Sequence, residues 1–230
     1  MRIVLSGGGT GGHFYPLIAV AEAVKDLAKT EKILPPEFFF LSPTPYDERT
    51  LFEEDIAYRR ISAGKMRRYF SLRNFTDSFA TASGVLSALG SLYRIYPDVV
   101  FAKDGYASFP VLMAAKLLSI PVVIHESDIK PGRVNSWAGK FARRVAVSYP
   151  ECAVHFPKET VFVSGQPIRK RLMLPITEGA REFLKLEEGV PVILVIGGSQ
   201  GAEVINNAIL DLLPQLVEHY QIVHQVGDEH

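Results

Sequence analysis

Short apolar runs alternate with stretches of helical periodicity along almost the whole chain. Nine runs are predicted as strands: Ile3–Ser6, Glu37–Ser42, Ala57–Ile61, Asp98–Ala102, Pro121–Glu126, Arg144–Ser148, Thr160–Ser164, Val190–Ile196 and Gln221–Val226. Six stretches are predicted as helices: Pro16–Lys29, Leu72–Tyr96, Ser108–Leu118, Arg133–Phe141, Thr177–Leu186 and Ala202–His219. Several strands are continuous in Val, Ile and Phe, as strands covered on both faces are. The order strand, helix, strand therefore predicts an α/β fold with a doubly wound parallel sheet.

The composition of the 230 residues is that of a globular protein with a sizeable core, at 47% hydrophobic and 22% charged residues. Lys plus Arg and Asp plus Glu both number 25, so the charge balance predicts no nucleic-acid partner. The single cysteine, Cys152, excludes an internal disulfide and fits a reducing compartment. No secretory leader and no apolar run of about 18 residues is present, so we expect a cytosolic protein that can still lie on a membrane surface.

Two domains are predicted, 1–164 and 165–230. Seven predicted strands precede Gly165, which is enough for a complete domain. From Val190 onward the sequence predicts only two strands, with one long helix between them. A two-stranded parallel sheet with one helix leaves an apolar face and an open edge. We therefore expect residues 165–230 to be the truncated beginning of a second Rossmann-like domain.

The first glycine-rich turn joins the first predicted strand to a helix and has five glycines within residues 7–12. Gly7, Gly9 and Gly12 satisfy the pattern G-x-G-x-x-G, but the second strand ends without the acidic residue that a dinucleotide ribose needs. No lysine follows the last glycine, which excludes a Walker phosphate loop. The turn is predicted to bind phosphate through its amides, and tight strand–helix packing is the alternative.

His13 directly follows this turn. Histidine is the side chain best suited to accept a proton near neutral pH, so we take His13 as a candidate general base. The alternative is a residue that only completes the start of the helix.

A second glycine-rich turn, Gly197–Gly201, lies about 190 residues further on, again between an apolar strand and a helix. Ser199 can offer a hydroxyl and an amide to a phosphate, or it can serve as a plain N-cap. The two interpretations are compatible, because a capping site and an anion site use the same amides.

Three polar clusters lie at the ends of predicted strands: Asp104–Ser108, His125–Asp128 and Gly165–Arg169. Ligands of open α/β sheets bind beyond the carboxyl ends of the strands, so the clusters and the two glycine-rich turns predict one polar cleft. Each cluster alone is weak evidence, since His125 could be a core histidine and Arg169 a domain-linking ion pair.

These motifs together resemble the MurG family, the bacterial N-acetylglucosaminyltransferases that complete lipid II. The resemblance rests, in collinear order, on Gly8–His13, Gly105–Ser108, Ile120–Glu126, Asn135, Gly165–Arg169 and Gly197–Ala202. It implies the two-domain GT-B fold, a UDP-N-acetylglucosamine donor and an undecaprenyl-linked muramoyl-pentapeptide acceptor. It also implies inverting transfer without a cofactor, by a peripheral protein at the cytoplasmic face of the bacterial inner membrane.

The resemblance also implies substrate contacts by Thr10, Gly11, Gly12, Tyr106, Glu126, Asp128, Asn135, Arg169, Ser199 and Gln200. Asp104 and Asp128 depart from the family, which often has Gly and Asn there. Members of the family continue beyond the point that corresponds to His230, so we expect this chain alone to be feeble or inactive. No metal is expected, because Asp and His show no metal-ligand spacing.

A basic and aromatic segment precedes the long third helical stretch. Its predicted membrane-facing residues are Lys65, Arg67, Arg68, Tyr69 and Phe70. Each basic residue near an anionic leaflet contributes about 1 kcal/mol. A solvated charged loop is the alternative.

Two other functions remain open at this point. One is a non-catalytic acceptor and membrane subunit of a split glycosyltransferase. The other is an NAD-type Rossmann protein, which the missing ribose-binding acid disfavours.

Overall fold

The computed structural model describes residues 1–64, 73–174, 178–198 and 201–227. It divides into two compact units, Met1–Met173 and Leu174–His230. Residues 165–173 thus pack with the first unit. The assignment of 1–164 and 165–230 as functional domains stays a prediction.

The first unit is built on a sheet of seven parallel strands in the order β3-β2-β1-β4-β5-β6-β7. The strands are β1 (Arg2–Ser6), β2 (Glu37–Ser42), β3 (Ile56–Arg60), β4 (Val99–Lys103), β5 (Val122–Glu126), β6 (Arg144–Val147) and β7 (Val161–Val163). The helices are α1 (Gly11–Thr30), α2 (Glu48–Glu53), α3 (Arg73–Ile95), α4 (Phe109–Leu117), α5 (Arg133–Ala138) and α6 (Lys170–Met173), with a 3₁₀ helix at Pro150–His155. The strand order reverses between β1 and β4, so the carboxyl ends of these two strands border the crevice where such sheets bind ligands.

Two hydrophobic clusters cover the two faces of this sheet. Ile3 and Leu5 pack with Phe14 and other residues of α1, whereas Val4 packs in the cluster that contains Leu92 of α3. Successive side chains of a strand point to opposite faces, so β1 is buried on both sides. The predicted α/β class with a parallel, doubly wound sheet is confirmed.

The helix α1 begins at Gly11, five residues before the predicted start at Pro16. The backbone amides of His13 and Phe14 both donate to the carbonyl of Thr10 at 3.1 Å, so the end of the glycine-rich turn is itself wound into the helix. Pro16 lies inside the helix, where it forgoes one backbone hydrogen bond. The consequence is that His13 is held in the first helical turn rather than in a loop.

Three short helices of the first unit were not predicted. The clearest is α2, whose N-cap Asp47 accepts a hydrogen bond from the amide of Thr50 at 3.0 Å. The 3₁₀ helix and α6 are the others. They are too short to show a helical period in the sequence.

The second unit contains α7 (Ala180–Phe183), β8 (Val192–Ile196), α8 (Glu203–Leu216) and β9 (Gln221–Gln225), with β8 and β9 paired in parallel. The predicted helix Thr177–Leu186 is therefore only four residues long in the described part. Leu194 and Ile196 of β8 are 62% and 64% exposed. Across both units, none of the described helices combines the length and the apolar character needed to cross a bilayer.

Candidate active site

The first glycine-rich turn follows β1 directly, and its glycines differ in what surrounds them. At Gly8, φ is +144° and an added Cβ would lie 2.6 Å from the hydroxyl of Ser42, so close packing accounts for this glycine. Gly12 is exposed, and an added Cβ would have only the Thr10 hydroxyl within 4 Å, at 3.8 Å. Packing does not require glycine at this position, which leaves room for a ligand to approach the backbone.

His13 lies in the first turn of α1 with one ring nitrogen already engaged. Its Nδ1 is 3.0 Å from the Thr10 hydroxyl, and Nε2 has no hydrogen-bond partner among the described residues. Burial lowers the pKa of His13, and the charge of Lys103 lowers it further. The carboxylates of Asp104, Asp128 and Glu126 oppose that shift. The imidazole is therefore neutral near pH 7 and able to accept a proton.

Lys103, the last residue of β4, is a buried charged residue of this candidate site that the sequence did not predict. It is only 1% exposed, and its ammonium group donates to the Ser127 hydroxyl. Its Cβ lies 3.1 Å from the position of an added Cβ on Gly7, which places the lysine beneath the first glycine-rich turn. The sequence did contain an indication of this residue, because a charged side chain at the end of an apolar strand, next to the unusual Asp104, is uncommon.

A buried network joins Asp104, Glu126 and Asn135. The Asn135 amide donates to Asp104 at 2.9 Å, and the Asn135 side-chain amide donates to Glu126 at 3.0 Å. Glu126 also accepts from the amides of Asp128 and Gly132, both at 3.0 Å. These bonds fix the loop between β5 and α5. Substrate contacts by Glu126, Asn135 and the exposed Asp128 stay predictions.

His125 connects the end of β5 to the segment after β7. Its Nε2 is 3.0 Å from the carbonyl of Gly165, which can only accept, so Nε2 carries the hydrogen. Burial lowers the pKa of His125 to about 4, although the bond to Gly165 opposes the shift. The adjacent Gln166 accepts from the hydroxyls of Ser127 at 2.7 Å and Ser148 at 2.9 Å. His125 is therefore a neutral core histidine that anchors residues 165–166.

Arg169 follows this anchor and lies over the ring of Tyr15, with its guanidinium carbon 3.9 Å from the ring centroid. The Tyr15 hydroxyl donates to Asp47 at 3.2 Å, which holds the ring in place. Two guanidinium nitrogens of Arg169, Nε and Nη1, are buried without a hydrogen-bond partner in the described part of the chain. Arg169 forms no ion pair within those residues, so the predicted alternative of a linking salt bridge is not seen there.

A cavity of about 210 Å³ lies between the start of α1 and this segment. It is lined by Gly11, Gly12, Tyr15, Pro16, Gln166, Pro167, Ile168, Arg169 and Leu172. Three of the predicted substrate-binding residues, Gly11, Gly12 and Arg169, thus border one space. Tyr106 lies beside the turn, with its ring 3.4 Å from an added Cβ on Gly9.

Several predicted site residues lie outside the described residues. These are Ser199 and Gln200 of the second glycine-rich turn and the membrane-facing Lys65, Arg67, Arg68, Tyr69 and Phe70. Within the described ranges, no group of three or more His, Cys, Asp or Glu side chains could hold a metal ion.

Comparison with known families identifies both parts of the chain. Residues 3–147 match the glycosyltransferase family 28 N-terminal domain, and residues 192–230 match the family 28 C-terminal domain. The chain belongs to glycosyltransferase family 28. Its members include the MurG proteins, so the resemblance predicted from the sequence is confirmed.

One family 28 relative is a UDP-N-acetylglucosamine–N-acetylmuramyl-(pentapeptide) pyrophosphoryl-undecaprenol N-acetylglucosamine transferase of Bacillus thuringiensis, 38% identical over 227 residues. The match covers 98% of this chain, and the chain spans 62% of the length of that relative. Among solved structures, Acinetobacter baumannii MurG superposes with a TM-score of 0.65 at 24% identity, over 99% of this chain and 59% of that one. This likeness supports the GT-B fold class.

A second solved structure is the UDP-GlcNAc 2-epimerase of Neisseria meningitidis bound to UDP-GlcNAc. Its TM-score is 0.66 at 19% identity, over 98% of this chain and 66% of that one. At that identity the likeness concerns the fold alone. Family 28 membership therefore rests on the sequence matches.

Proposed function

We propose that the chain acts in the transfer of N-acetylglucosamine from UDP-N-acetylglucosamine to an undecaprenyl-linked muramoyl-pentapeptide, a step of peptidoglycan synthesis. The observation that carries the proposal is Arg169, which borders the cavity at the start of α1 with two buried, unpartnered guanidinium nitrogens. Family 28 membership and the name of the Bacillus thuringiensis relative support the choice of substrates.

The cavity has the features of an anion site. Gly11 and Gly12 open a helix of 20 residues, whose first amides and positive end favour a negative group. Leaving two buried nitrogens of a guanidinium group without acceptors is costly unless a ligand or solvent accepts their hydrogen bonds. A diphosphate supplies the oxygens that both features require, and Tyr15 holds the guanidinium plane in position.

His13 provides the proton acceptor for the reaction. Its Nε2 takes the proton of the acceptor sugar hydroxyl while that oxygen forms a bond to the anomeric carbon of N-acetylglucosamine. The bond from this carbon to the diphosphate oxygen breaks, and UDP leaves with the electron pair. Attack from the face opposite to the diphosphate inverts the anomeric configuration. The positive groups at the start of α1 stabilise the charge that develops on UDP.

We propose that residues 1–164 bind the acceptor and the membrane, whereas residues 165–230 bind the UDP-sugar. Ser199 and Gln200 of the second glycine-rich turn contact the donor in this scheme, and Asn135 contacts a substrate. The strand–turn–helix order of β8 and α8 supports a further anion site, because a glycine-rich turn before a helix presents free amides.

Donor binding tests the anion site directly. We expect Arg169→Gln to weaken binding of UDP-N-acetylglucosamine about 10–100-fold, the effect of losing hydrogen bonds from a charged group. Arg171→Gln is the matched control, because Arg171 is exposed in α6. Titration calorimetry with UDP-N-acetylglucosamine and with NAD measures the effect. Equal binding by Arg169→Gln and wild type, or a wild-type preference for NAD, would contradict the proposal.

Turnover tests the role of His13. In the full-length protein we expect His13→Ala to reduce transfer to a lipid-linked muramoyl-pentapeptide about 10²–10⁴-fold while donor binding persists. Retained turnover would exclude His13 as the base. Donor binding without any transfer by the full-length protein would favour the non-catalytic subunit instead.

We further propose that the protein is peripheral to the cytoplasmic face of the membrane. The basic and aromatic residues from Lys65 to Phe70 directly precede α3, and Leu86 and Tyr93 of α3 are 70% and 75% exposed. These two side chains are seven residues apart and share one side of the helix. Sedimentation with anionic vesicles tests the proposal, and equal binding by a Lys65/Arg67/Arg68/Arg73→Ala variant would exclude it.

A further inference from the structure

The side chain of Thr10 has an unusual hydrogen-bond partner for an N-cap residue. Thr10 is the N-cap of α1, with extended backbone at φ −150° and ψ 161°, and its side chain makes no capping hydrogen bond. An N-cap threonine normally accepts from a backbone amide of the first turn, which contributes about 1 kcal/mol. Here the hydroxyl lies 3.0 Å from Nδ1 of His13 instead. The start of α1 thus lacks the capping hydrogen bond that would stabilise it, and the Thr10 hydroxyl interacts with the imidazole instead.

The direction of this hydrogen bond decides what His13 can do. If the hydroxyl donated to Nδ1, the ring hydrogen of a neutral imidazole would be on Nε2, and that atom could not accept a proton. If Nδ1–H donates to the hydroxyl oxygen, Nε2 keeps a free lone pair. The positive end of α1 favours a hydroxyl oxygen, rather than its hydrogen, directed at the first helical turn.

The structure assigns Thr10 as the positioning residue of His13: its hydroxyl accepts from Nδ1–H and holds the imidazole in the tautomer with a bare Nε2. This assignment rests on the proposed role of His13 as the base. It differs from a direct substrate contact by Thr10, because the hydroxyl oxygen is already used within the protein. The partner that fixes one ring nitrogen of a histidine commonly sets the tautomer at the other.

The surroundings of His13 agree with a neutral ring in a fixed orientation. Gly105 packs against it, since an added Cβ there would lie 3.8 Å from the ring carbon Cε1. The charged groups that act on the ring are Lys103 of β4, Asp104 after β4, Glu126 of β5 and Asp128 after β5. None of the four is hydrogen-bonded to His13, so Thr10 is its one side-chain partner within the described residues.

Nitrogen NMR of the complete chain tests the assignment without any substrate. Long-range ¹H–¹⁵N correlation spectra distinguish a protonated from a bare ring nitrogen, and a His13→Gln variant identifies the signals of His13. Above the pKa of His13 we expect Nε2 to be the bare nitrogen. Thr10→Val, which removes the hydroxyl with little change in shape, should shift the population toward Nε2–H. Thr10→Ser keeps a hydroxyl and should restore the wild-type tautomer.

A bare Nδ1 in wild type, or an identical tautomer in wild type and Thr10→Val, would overturn the assignment. The backbone signals of the same spectra report whether each variant is folded. Because this measurement needs no transfer, it can support the role of Thr10 even if the wild-type chain shows no turnover and the proposed function fails.

Measurements of turnover distinguish a positioning role of Thr10 from a direct contact between Thr10 and the donor. We expect Thr10→Val to lower kcat about 10–100-fold, which is less than the about 10²–10⁴-fold expected for removing the base itself, with the KM for UDP-N-acetylglucosamine unchanged. Thr10→Ser should recover most of the rate. A rise in that KM with kcat unchanged would identify Thr10 as a donor contact and overturn the positioning role.

Discussion

Lys103 and His13 show how single residues set the chemistry at the start of α1. The ammonium group of Lys103 is buried beneath the first glycine-rich turn, and burial lowers its pKa, while Glu126, Asp128 and Asp104 act in the opposite direction. Its positive charge disfavours the protonated form of His13. The pair therefore couples a lysine of the sheet to the proposed proton acceptor on the helix.

Replacing this lysine should change the titration of His13. We expect Lys103→Met to raise the pKa of His13, because a charge that opposes the imidazolium is lost while three carboxylates that favour it remain. The protonated, inactive form would then persist to higher pH, so the acid limb of the rate profile moves upward. An NMR titration of His13 measures the shift.

The exposed Lys140 supplies the control for this titration, since Lys140→Met should leave the pKa of His13 unchanged. Methionine conserves the volume of the buried lysine, so the variant is expected to fold. A pKa of His13 that stays constant or falls in Lys103→Met would show that Lys103 does not lower the pKa of the proposed base.

At the scale of elements, α3 contains two glycines in opposite surroundings. An added Cβ on Gly84 would lie 1.8 Å from the backbone carbonyl oxygen of Ser62, whereas Gly90 has open space around it. Gly84 thus lets α3 approach residues 62–64, directly before the predicted membrane-facing segment. One close backbone contact therefore holds α3 against Ser62.

This contrast yields a paired stability test on one helix. We expect Gly84→Ala to destabilise the protein by about 1–3 kcal/mol, since a backbone atom must move to admit the methyl group. Gly90→Ala should instead stabilise it by about 0.5–1 kcal/mol, the difference in helix preference between the two residues. Urea unfolding of both variants measures the free energies, and changes of the same sign would contradict the packing described for Ser62.

For the whole molecule, the two units differ in how much apolar surface they bury. The first has a hydrophobic cluster on each face of its sheet, with residues such as Leu5 and Val100 fully buried. In the described part of the second unit, no apolar side chain reaches the burial of those clusters. Local stability follows buried apolar contact, so the units should open with different free energies.

Hydrogen exchange can measure this difference. We expect the amides of β8 and β9 to exchange well before those of β1, β4 and β5 in the same protein sample. The comparison between strands of one chain is its own control, because all are hydrogen-bonded in parallel sheets. Equal protection of the two sets would show that the second unit is as stable as the first.

Local patterns in the sequence were sufficient for the α/β class and for most strands. The prediction for β2 has the observed bounds, Glu37–Ser42, because a continuous apolar run between turns identifies a covered strand. The polar clusters at the strand ends were also visible, since parallel strands end at the same edge of their sheet. The start of α1 was wrong, because Pro16 is tolerated inside the helix once the glycine-rich turn has begun it.

The interior of the site depended on contacts between residues far apart in sequence. Periodicity places a residue on a face or at an edge, and it carries no information about which distant side chain will lie opposite. The stacking of Arg169 on Tyr15, the burial of Lys103 under Gly7 and the bond from His125 to Gly165 therefore emerged only with the tertiary structure. The sequence alone determined the fold class and the residues at the carboxyl edge of the sheet, and packing in three dimensions decided which of them are paired, buried or left open to a ligand.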